Sequence, residues 1–590
     1  MRTFFRRLAL FSIVSALPSP TFAGDKELVI DAVDLAPIEV RDDEPKPGKW
    51  WLNRDATEWK ASNGTILMTG EPSGKTGQDG LHKVTPADRF VSHRVPSFEF
   101  DPKVHGWHRI YVGLYHQAEK PESRLLMKLS SQPYPEYVQT PSNTQSKVAE
   151  VYWRAADLTG NTIRIEQPLA PMPHPDRGWL GGITHVRLVP MSSADVEAAR
   201  QEIDLPPKQQ RLFAMLDTTD EIFWWGNVRT EEDIHAIVYR HQQSGFGRVY
   251  WRCFGTHLDN SWDVPEAAPR WTQDDERRWC KQQNCKSGWM TYINLAKKFD
   301  PLRTAVDYGR KTDVDVHAWV RFTNFNREPY ANFWHDHPEF HARMLQTKRD
   351  PTTGRQTVVK PYKLYRYPRV LSFAYPEVRS FYVKFFKQIA STGTPGIMID
   401  LLRHPPIAGY EPIVTESFQK KYGMDMRERD IYHDSLVQKH LSGYFRQFLV
   451  ELCKEISDKI EISVRCSGPS KYALRGKEWI AEGLINTIVD GNWYSGNGPR
   501  STIDDTAEAV RTRGQALAVA EVSDVDPKDN WNRREGYLSA EAISALAEHY
   551  SGRGVAAFGL YESTVFTWRP DIRQAIRAAG WAYDPKKTTP

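Results

Sequence analysis

Several short apolar runs in this 590-residue sequence stop abruptly at a carboxylic acid. Asp217, Asp400, Asp490, Glu521 and Glu562 each follow such a run. A run of four to eight apolar residues is typical of a buried strand, and an acid at its end lies where the strand leaves the sheet. Two carboxyl groups facing each other can cleave a glycosidic bond, one as the acid and the other as the nucleophile or base. We therefore expect a two-carboxylate site.

Three of these acids are candidates for the catalytic pair. Asp400 ends the run Gly-Ile-Met-Ile-Asp at 396–400, and Glu521 is flanked by small residues that leave room for a ligand. Asp490 precedes the stretch Gly-Asn-Trp-Tyr at 491–494. We expect Asp400 to act with Glu521, and Asp490 is the alternative partner of Asp400.

The other candidates are residues that would bind substrate. We expect Asp217 to orient the substrate or contact a sugar hydroxyl group, and Glu562 to be a buried partner of Arg465. Arg403 and His404, directly after Asp400, are suited to hydroxyl groups or to an anionic group. Flat amphipathic rings can stack on the faces of pyranose sugars. The aromatic residues expected to form such walls are Trp225, Trp493, Tyr494 and Tyr561.

Metal and cofactor motifs are weak. The triplet His-Asp-His at 335–337 resembles a metal clamp, but it lies in a polar segment beside Trp334 and Pro338, where loop and substrate contacts explain it better. Neither a Walker loop nor a GxGxxG motif follows a strand. We expect no metal and no cofactor, while a metal-dependent hydrolase using His335, His337 and His404 is a third hypothesis.

From residue 211 onward, apolar strands alternate with amphipathic helices, which is the pattern of parallel strands joined by helical crossovers. Eight strands are expected, at 212–216, 248–254, 314–322, 396–400, 460–466, 485–490, 516–521 and 554–562. This predicts an α/β fold, a (β/α)8 TIM barrel over 211–590. Functional loops of such barrels follow the carboxyl ends of the strands. The long insertions at 256–288 and 324–369 would therefore border the catalytic cleft.

The residues before the barrel predict a different architecture. Residues 1–23 combine Arg2, Arg6 and Arg7 with a short apolar core and a small residue at the end, as in a secretory signal peptide. Short alternating strands over 24–192 predict an antiparallel, jelly-roll-like β-sandwich that could bind carbohydrate, and 193–210 reads as a linker. We expect a secreted or periplasmic protein with no membrane attachment after signal cleavage.

The composition is typical of a globular protein, and its net charge is small for its length. The net charge is +4, and Lys and Arg appear interleaved with Asp and Glu, so we expect no nucleic-acid partner. Twenty Trp and 25 Tyr are a rich supply of rings that can contact sugars.

Two segments resemble the glycosyl-hydrolase-like 10 family of secreted bacterial proteins. They are the helix entry Ala-Tyr-Pro-Glu-Val-Arg at 374–379, and the strand at 396–400 with the later Tyr422-Gly423 pair. Pro395 stands where the family's strand motif begins with Asp. The resemblance implies a (β/α)8 fold and glycoside hydrolysis, with Asp400 carried over. The leading hypothesis is a hydrolase of polysaccharides or oligosaccharides. The alternative is a non-catalytic carbohydrate-binding protein on a degenerate barrel.

Overall fold

The computed structural model places most of the elements expected from the sequence. It describes residues 26–31, 60–62, 66–68, 97–115, 124–140, 148–166, 182–203, 211–218, 221, 228–253, 266, 272–275, 277–278, 289–321, 331–349, 356–402, 407–431, 434–466, 475–491, 503–511, 517–523 and 540–582. The expected signal peptide lies outside these residues. Among the described residues, no helix combines the length and apolar character needed to cross a bilayer.

Two antiparallel sheets form the N-terminal part of the protein. The first contains β1 (Leu28–Asp31), β2 (Lys60–Ser62), β3 (Ile66–Met68), β5 (Trp107–Tyr115), β8 (Val148–Asp157) and β10 (Gly182–Pro190). The second contains β4 (Phe98–Phe100), β6 (Arg124–Leu129), β7 (Glu136–Gln139) and β9 (Ile163–Glu166). Ile110 and Val112 of the first sheet share one buried cluster with Leu125 and Ile163 of the second. The sheets therefore pack face to face, with alternate residues turned into a common core.

Eight parallel strands follow, and each pairs with the next along the chain. They are β11 (Leu212–Leu216), β12 (Arg248–Cys253), β13 (Asp315–Arg321), β18 (Gly396–Asp400), β19 (Glu461–Cys466), β20 (Thr487–Asp490), β21 (Leu517–Ser523) and β22 (Ala557–Tyr561). The last strand pairs with the first, Gly559 opposite Phe213, so the ring of strands is closed. Strand β22 begins three residues later than expected because Gly554, at φ 75°, still belongs to the turn before it.

Helices connect and follow these strands. They are α1 (Ser193–Ile203), α2 (Glu231–Gln243), α3 (Trp289–Ala296), α4 (Pro301–Lys311), α5 (Asn332–Asp336), α6 (Pro376–Ser391), α7 (Pro412–Tyr422), α8 (Ser435–Glu455), α9 (Gly476–Ala481), α10 (Ile503–Arg511), α11 (Ala540–Ser551) and α12 (Pro570–Ala582). Their boundaries follow local signals. Asp300 and Thr230 cap α4 and α2 through their side chains, Pro376 occupies the first turn of α6, and α7 ends at Gly423 in the left-handed region.

The barrel interior is filled in layers. Arg248 and Glu461 form a two-bond ion pair, at 2.8 and 2.9 Å, near the amino ends of β12 and β19. Burial opposes the charge of Glu461, but Arg248 outweighs it and lowers the pKa of that carboxyl to about 2. Above this pair lies an apolar and aromatic layer made of Phe213, Met215, Tyr250, Trp319, Met398, Val489, Ala557 and Tyr561. The strands thus enclose a packed core, which leaves chemistry to their carboxyl ends.

An antiparallel insertion stands between β13 and α6. In it, β14 (His341–Leu345) pairs with β17 (Leu364–Leu371), and β15 (Thr347–Arg349) pairs with β16 (Gln356–Val358). Its base is buried in a separate apolar cluster that includes Met344, Tyr410, Val414 and Phe418. Because the insertion follows the carboxyl end of β13, it rises from the same face of the barrel as the expected site.

A buried acid joins the sandwich to the barrel. Glu136 of β7 bonds to Arg573 of α12 at 2.5 Å and to Arg154 of β8 at 3.0 Å. Burial alone would raise the pKa of Glu136, but the two guanidinium groups lower it to about 2. Gln132 donates to both Glu136 and Tyr239 of α2, at 2.8 and 3.0 Å. The contact between the two parts is therefore polar, specific and sheltered from water.

Glu136→Gln tests this junction. We expect it to lower the free energy of unfolding by about 3 to 5 kcal/mol, because two largely buried guanidinium groups lose their carboxylate. The matched control is Glu455→Gln, which breaks a 2.7 Å pair with Lys387 whose side chains are both about half exposed; it should lower the free energy of unfolding far less, because exposed ion pairs contribute little. Urea denaturation measures both, and equal losses would contradict a special role for Glu136.

Candidate active site

Asp400 lies at the carboxyl end of the fourth barrel strand and faces the interior. Its Oδ2 atom accepts hydrogen bonds from Trp319 Nε1 at 3.0 Å, Arg465 at 2.7 Å and Arg321 Nε at 3.4 Å. Its Oδ1 atom accepts from the backbone N–H of Leu402 at 2.9 Å. Both oxygens of Asp400 therefore accept hydrogen bonds. This is the pattern of an ionised carboxylate, which has no hydrogen to donate.

Arg321 links Asp400 to the second buried acid, Asp217. Its NH2 group lies 3.5 Å from Asp217, while its Nε contacts Asp400. Arg252 completes the group with bonds of 2.6 and 2.8 Å to the two oxygens of Asp217. Two carboxylates and three guanidinium groups from five successive strands therefore form one ionic network at the carboxyl end of the barrel.

Two aromatic rings fix the third guanidinium of this network. Arg465 lies 5.2 Å from the centre of the Trp319 ring and 4.8 Å from that of Tyr561. The two rings meet edge to face at 5.9 Å. Cation–π contacts in a desolvated site are worth about 2 kcal/mol. Trp319 thus has two roles, since its ring contacts Arg465 and its N–H donates to Asp400.

The position of these residues follows from strand alternation. Phe213, Met215 and Asp217 face the interior along the first strand, and Met398 and Asp400 do so along the fourth. The intervening Ile397 and Ile399 pack outward against the helices. Successive side chains of a strand alternate between faces, so an interior residue two places earlier predicts an interior acid.

The carboxylate of Asp400 is the group of this network that could take part in glycoside cleavage. A fixed, ionised carboxylate can attack a sugar carbon or stabilise the oxocarbenium-like state that forms there. The side chain of Asp400 has no exposed surface. Its charge is therefore held in a low-dielectric setting, where electrostatic interactions are stronger than in water.

Asp490 is not brought to this network. Its Oδ2 accepts a 2.7 Å bond from the hydroxyl group of Thr506 on α10, outside the barrel. Its neighbour Val489 belongs to the interior layer, and Thr487 bonds to Glu461 inside the barrel. Residues 487 and 489 face inward, so alternation turns Asp490 outward. The structure therefore does not bring Asp490, the alternative partner of Asp400, to the interior face where Asp400 lies.

Glu521 lies on β21 with Gly559 of β22 as its partner in the sheet. The placement of its side chain lies outside the described residues, so its pairing with Asp400 stays a prediction. The expected roles of five other residues in substrate binding also stay predictions, because these residues lie outside the described part of the chain. They are Trp225, Arg403, His404, Trp493 and Tyr494.

Tyr561 and Glu562 are both buried. Tyr561 is fully covered and contacts Arg465 and Trp319, so it supports the network instead of forming an open wall for a sugar. Glu562 has a φ of 57°, an uncommon conformation for a residue with a side chain, at the start of the turn Ser563–Thr567. Its expected pairing with Arg465 stays a prediction.

Sequence reasoning missed Arg252, Arg321 and Trp319. A signal was present, because Arg252 and Arg321 each end or nearly end an apolar strand, as the acids do. A buried carboxylate requires a nearby cation, so charged residues of both signs at strand ends should be considered together.

A further buried acid, Glu411, joins the segment after Asp400 to the insertion. Its Oε1 accepts from the N–H groups of Arg343 and Gly409, at 2.8 and 3.1 Å, and its Oε2 accepts from Gly409 at 2.9 Å. Burial raises the pKa of Glu411 to about 7, although these donors act in the opposite direction. The backbone of Tyr410 also donates to the carbonyl oxygen of Arg343 at 2.7 Å.

Glu411→Gln should change how stability depends on pH. A folded-state pKa near 7, above the ordinary 4.5, means that the native state holds a proton which the unfolded state releases. The contribution of Glu411 to the free energy of unfolding is therefore complete below pH 4.5. It falls by about 1.4 kcal/mol for each pH unit between pH 4.5 and pH 7. The neutral variant lacks this loss, so its stability relative to the wild type should rise across that window and level off above it.

Chemical denaturation at pH 4 to 8 measures this difference. The matched control is Glu416→Gln, at an exposed position on α7. Its stability should run parallel to that of the wild type. A Glu411→Gln curve that also runs parallel would show that Glu411 is ionised throughout.

Metal ligands do not gather among the described residues, where no group of three or more His, Cys, Asp or Glu side chains is arranged to hold an ion. His337 bonds to Glu339 at 3.0 Å, and His404 lies outside the described residues.

Comparisons with known proteins give distant similarities. No protein-family model matches the sequence, and no curated protein matches it. The chain is similar to α-L-fucosidase isoenzyme 2 from Paenibacillus thiaminolyticus, with a TM-score of 0.37 and 11% identity over 63% of this chain and 49% of that chain. It is also similar to an α-amylase from Geobacillus thermoleovorans, with a TM-score of 0.34 and 13% identity over 65% of this chain and 80% of that chain. A Podospora anserina GH26-CBM35 β-(1,4)-mannanase has a TM-score of 0.25 and 10% identity over 94% of this chain and 96% of that chain.

The chain thus spans about half the length of the fucosidase. At such TM-scores these similarities carry no argument about the activity, which depends on the residues of this chain. The resemblance to the glycosyl-hydrolase-like 10 family stays a prediction.

Proposed function

We propose that this protein is a (β/α)8-barrel glycoside hydrolase that cleaves O-glycosidic bonds by a two-carboxylate mechanism. The observation that carries the proposal is the inward-facing Asp400 at the carboxyl end of the fourth strand, oriented by Trp319, Arg321 and Arg465. Active sites of parallel eight-stranded barrels lie at this end. A carboxylate oriented by three side-chain donors there is suited to a cationic transition state.

The role proposed for Asp400 follows from its geometry, and the role proposed for Glu521 follows from its place after an apolar run in the sequence. Asp400 is the nucleophile or the stabilising carboxylate, and Glu521 is the general acid. Asp217 shares Arg321 with Asp400 and so positions that guanidinium group. The basic and apolar character of residues 1–17 supports secretion, with the chain acting outside the cytoplasm.

A non-catalytic carbohydrate-binding protein is the second candidate. The observation that favours it is the complete burial of the Asp400 side chain, with hydrogen bonds to both oxygens. A carboxylate so fully occupied can be structural, and a barrel that keeps such a network can bind sugar without cleaving it.

Single amide variants test the proposed pair. Asp400→Asn and Glu521→Gln should each lower kcat by about 10² to 10⁴-fold, the usual contribution of an acid or base group. Release of reducing ends from a panel of neutral and acidic polysaccharides measures this. Glycan binding by Asp400→Asn should persist, as followed by affinity electrophoresis.

The matched control is Asp490→Asn. This acid also ends a barrel strand, yet it bonds outward to Thr506, and the amide oxygen of Asn can still accept that bond. Its kcat should stay within about threefold of the wild type. Loss of activity in Asp490→Asn but not in Asp400→Asn would refute the proposed site. Binding of a glycan without cleavage by the native protein would favour the second candidate.

A further inference from the structure

Positive charge is concentrated in one short segment of the chain. Residues 346–369 contain seven basic residues and a single acid, Asp350. The basic residues are Lys348, Arg349, Arg355, Lys360, Lys363, Arg366 and Arg369. Seven basic residues and one acid give the segment a net charge of +6. The whole protein has a net charge of +4, so the rest of the chain carries a net charge of −2. The even interleaving of charges expected from the sequence therefore does not hold here.

The described residues of this segment, 346–349 and 356–369, lie in the insertion after β13. They include β15, β16 and the start of β17, and we call them the basic ribbon. Lys348, Lys360, Lys363 and Arg366 are exposed on it. So is Tyr365, with 46% of its surface accessible. The ribbon thus exposes four basic side chains and one tyrosine ring.

The base of the ribbon is aromatic. The guanidinium group of Arg366 lies 5.4 Å from the centre of the Trp334 ring, which packs on the ring of His341 at 4.1 Å. Burial lowers the pKa of His341 to about 4, so His341 is neutral at pH 7 and adds no charge beside Arg366. Lys360 lies 3.7 Å from Glu428. That pair is exposed on both sides, and such pairs are weak enough to yield to a polyanion.

The ribbon is held beside the candidate active site. Arg343 at its base bonds through its backbone to Tyr410 and to the carboxylate of Glu411. The N–H of Phe373 donates to the carbonyl oxygen of Ile407 at 3.0 Å. Residues 407–411 belong to the segment that follows Asp400. The same bonds therefore fix the ribbon to the catalytic face of the barrel.

We propose that the basic ribbon binds an acidic polysaccharide, one whose sugars carry carboxylate or sulfate groups, and guides it to the site at Asp400. This rests on the proposed function and names its substrate class. Spaced cations complement a chain of spaced anions, and the exposed Tyr365 ring offers a surface on which a sugar can stack. Neutral glycans lack the charge that this surface complements.

The test uses the full chain carrying Glu521→Gln, the other proposed catalytic substitution, so that the probe is not cut and the buried network at Asp400 stays intact. Lys348→Gln, Lys363→Gln and Arg366→Gln are combined as the ribbon variant. The control variant combines Lys311→Gln, Lys454→Gln and Lys459→Gln, which removes the same charge from exposed positions near the amino ends of barrel strands. The probes are polygalacturonate, chondroitin sulfate, dextran and a single-stranded DNA oligonucleotide.

We expect the ribbon variant to bind polygalacturonate or chondroitin sulfate about tenfold more weakly than the control variant at low salt, with the difference shrinking as salt screens the charges. The probe that shows the larger change identifies carboxylate or sulfate as the anion. Equal binding by the two variants would overturn the proposal. So would a loss confined to DNA, which would instead assign the ribbon to nucleic acid.

This result is separable from that of the proposed function. If the wild type cleaves a neutral glycan and the ribbon substitutions change nothing, the hydrolase stands and the ribbon proposal fails. If the ribbon variant loses acidic-glycan binding but the wild type cleaves no glycan, the ribbon proposal stands and the hydrolase fails.

Discussion

The site depends on an ionic network that is closed off from water. Asp217 and Asp400 are buried acids, and each would be very costly in the barrel interior without a cation beside it. Arg252, Arg321 and Arg465 supply those cations, and Arg321 contacts both carboxylates. Removing any member would leave an uncompensated buried charge. The network therefore constrains which side chains can occupy the ends of five adjacent strands.

The rest of the barrel supports that network from below. The aromatic layer of Trp319 and Tyr561 fixes the guanidinium of Arg465, and the Arg248–Glu461 pair fills the amino end. A packed interior allows little movement of these groups. The carboxylate of Asp400 is thus held in one orientation by the protein alone, which is the condition that the proposed electrostatic stabilisation of a transition state requires.

Two buried acids outside the network set the surroundings of the site. Glu411 joins the segment after Asp400 to the insertion that carries the basic ribbon. Glu136 joins the sandwich to α2 and α12 through Arg573 and Gln132. In both places a carboxylate that accepts several hydrogen bonds makes a directional connection, which apolar packing alone does not provide.

Much of this protein follows from its sequence. Apolar runs and helix signals define the eight parallel strands, and the run at 396–400 marks Asp400, because a buried strand needs apolar residues on both faces. That same property hides which residues face the interior, since a uniformly apolar run shows no alternation. Only the closed barrel turned Asp400 inward and Asp490 outward, and only it brought Arg252 and Arg321 to the acids. The pairing of charges distant in sequence is decided by strand register, which no local pattern contains.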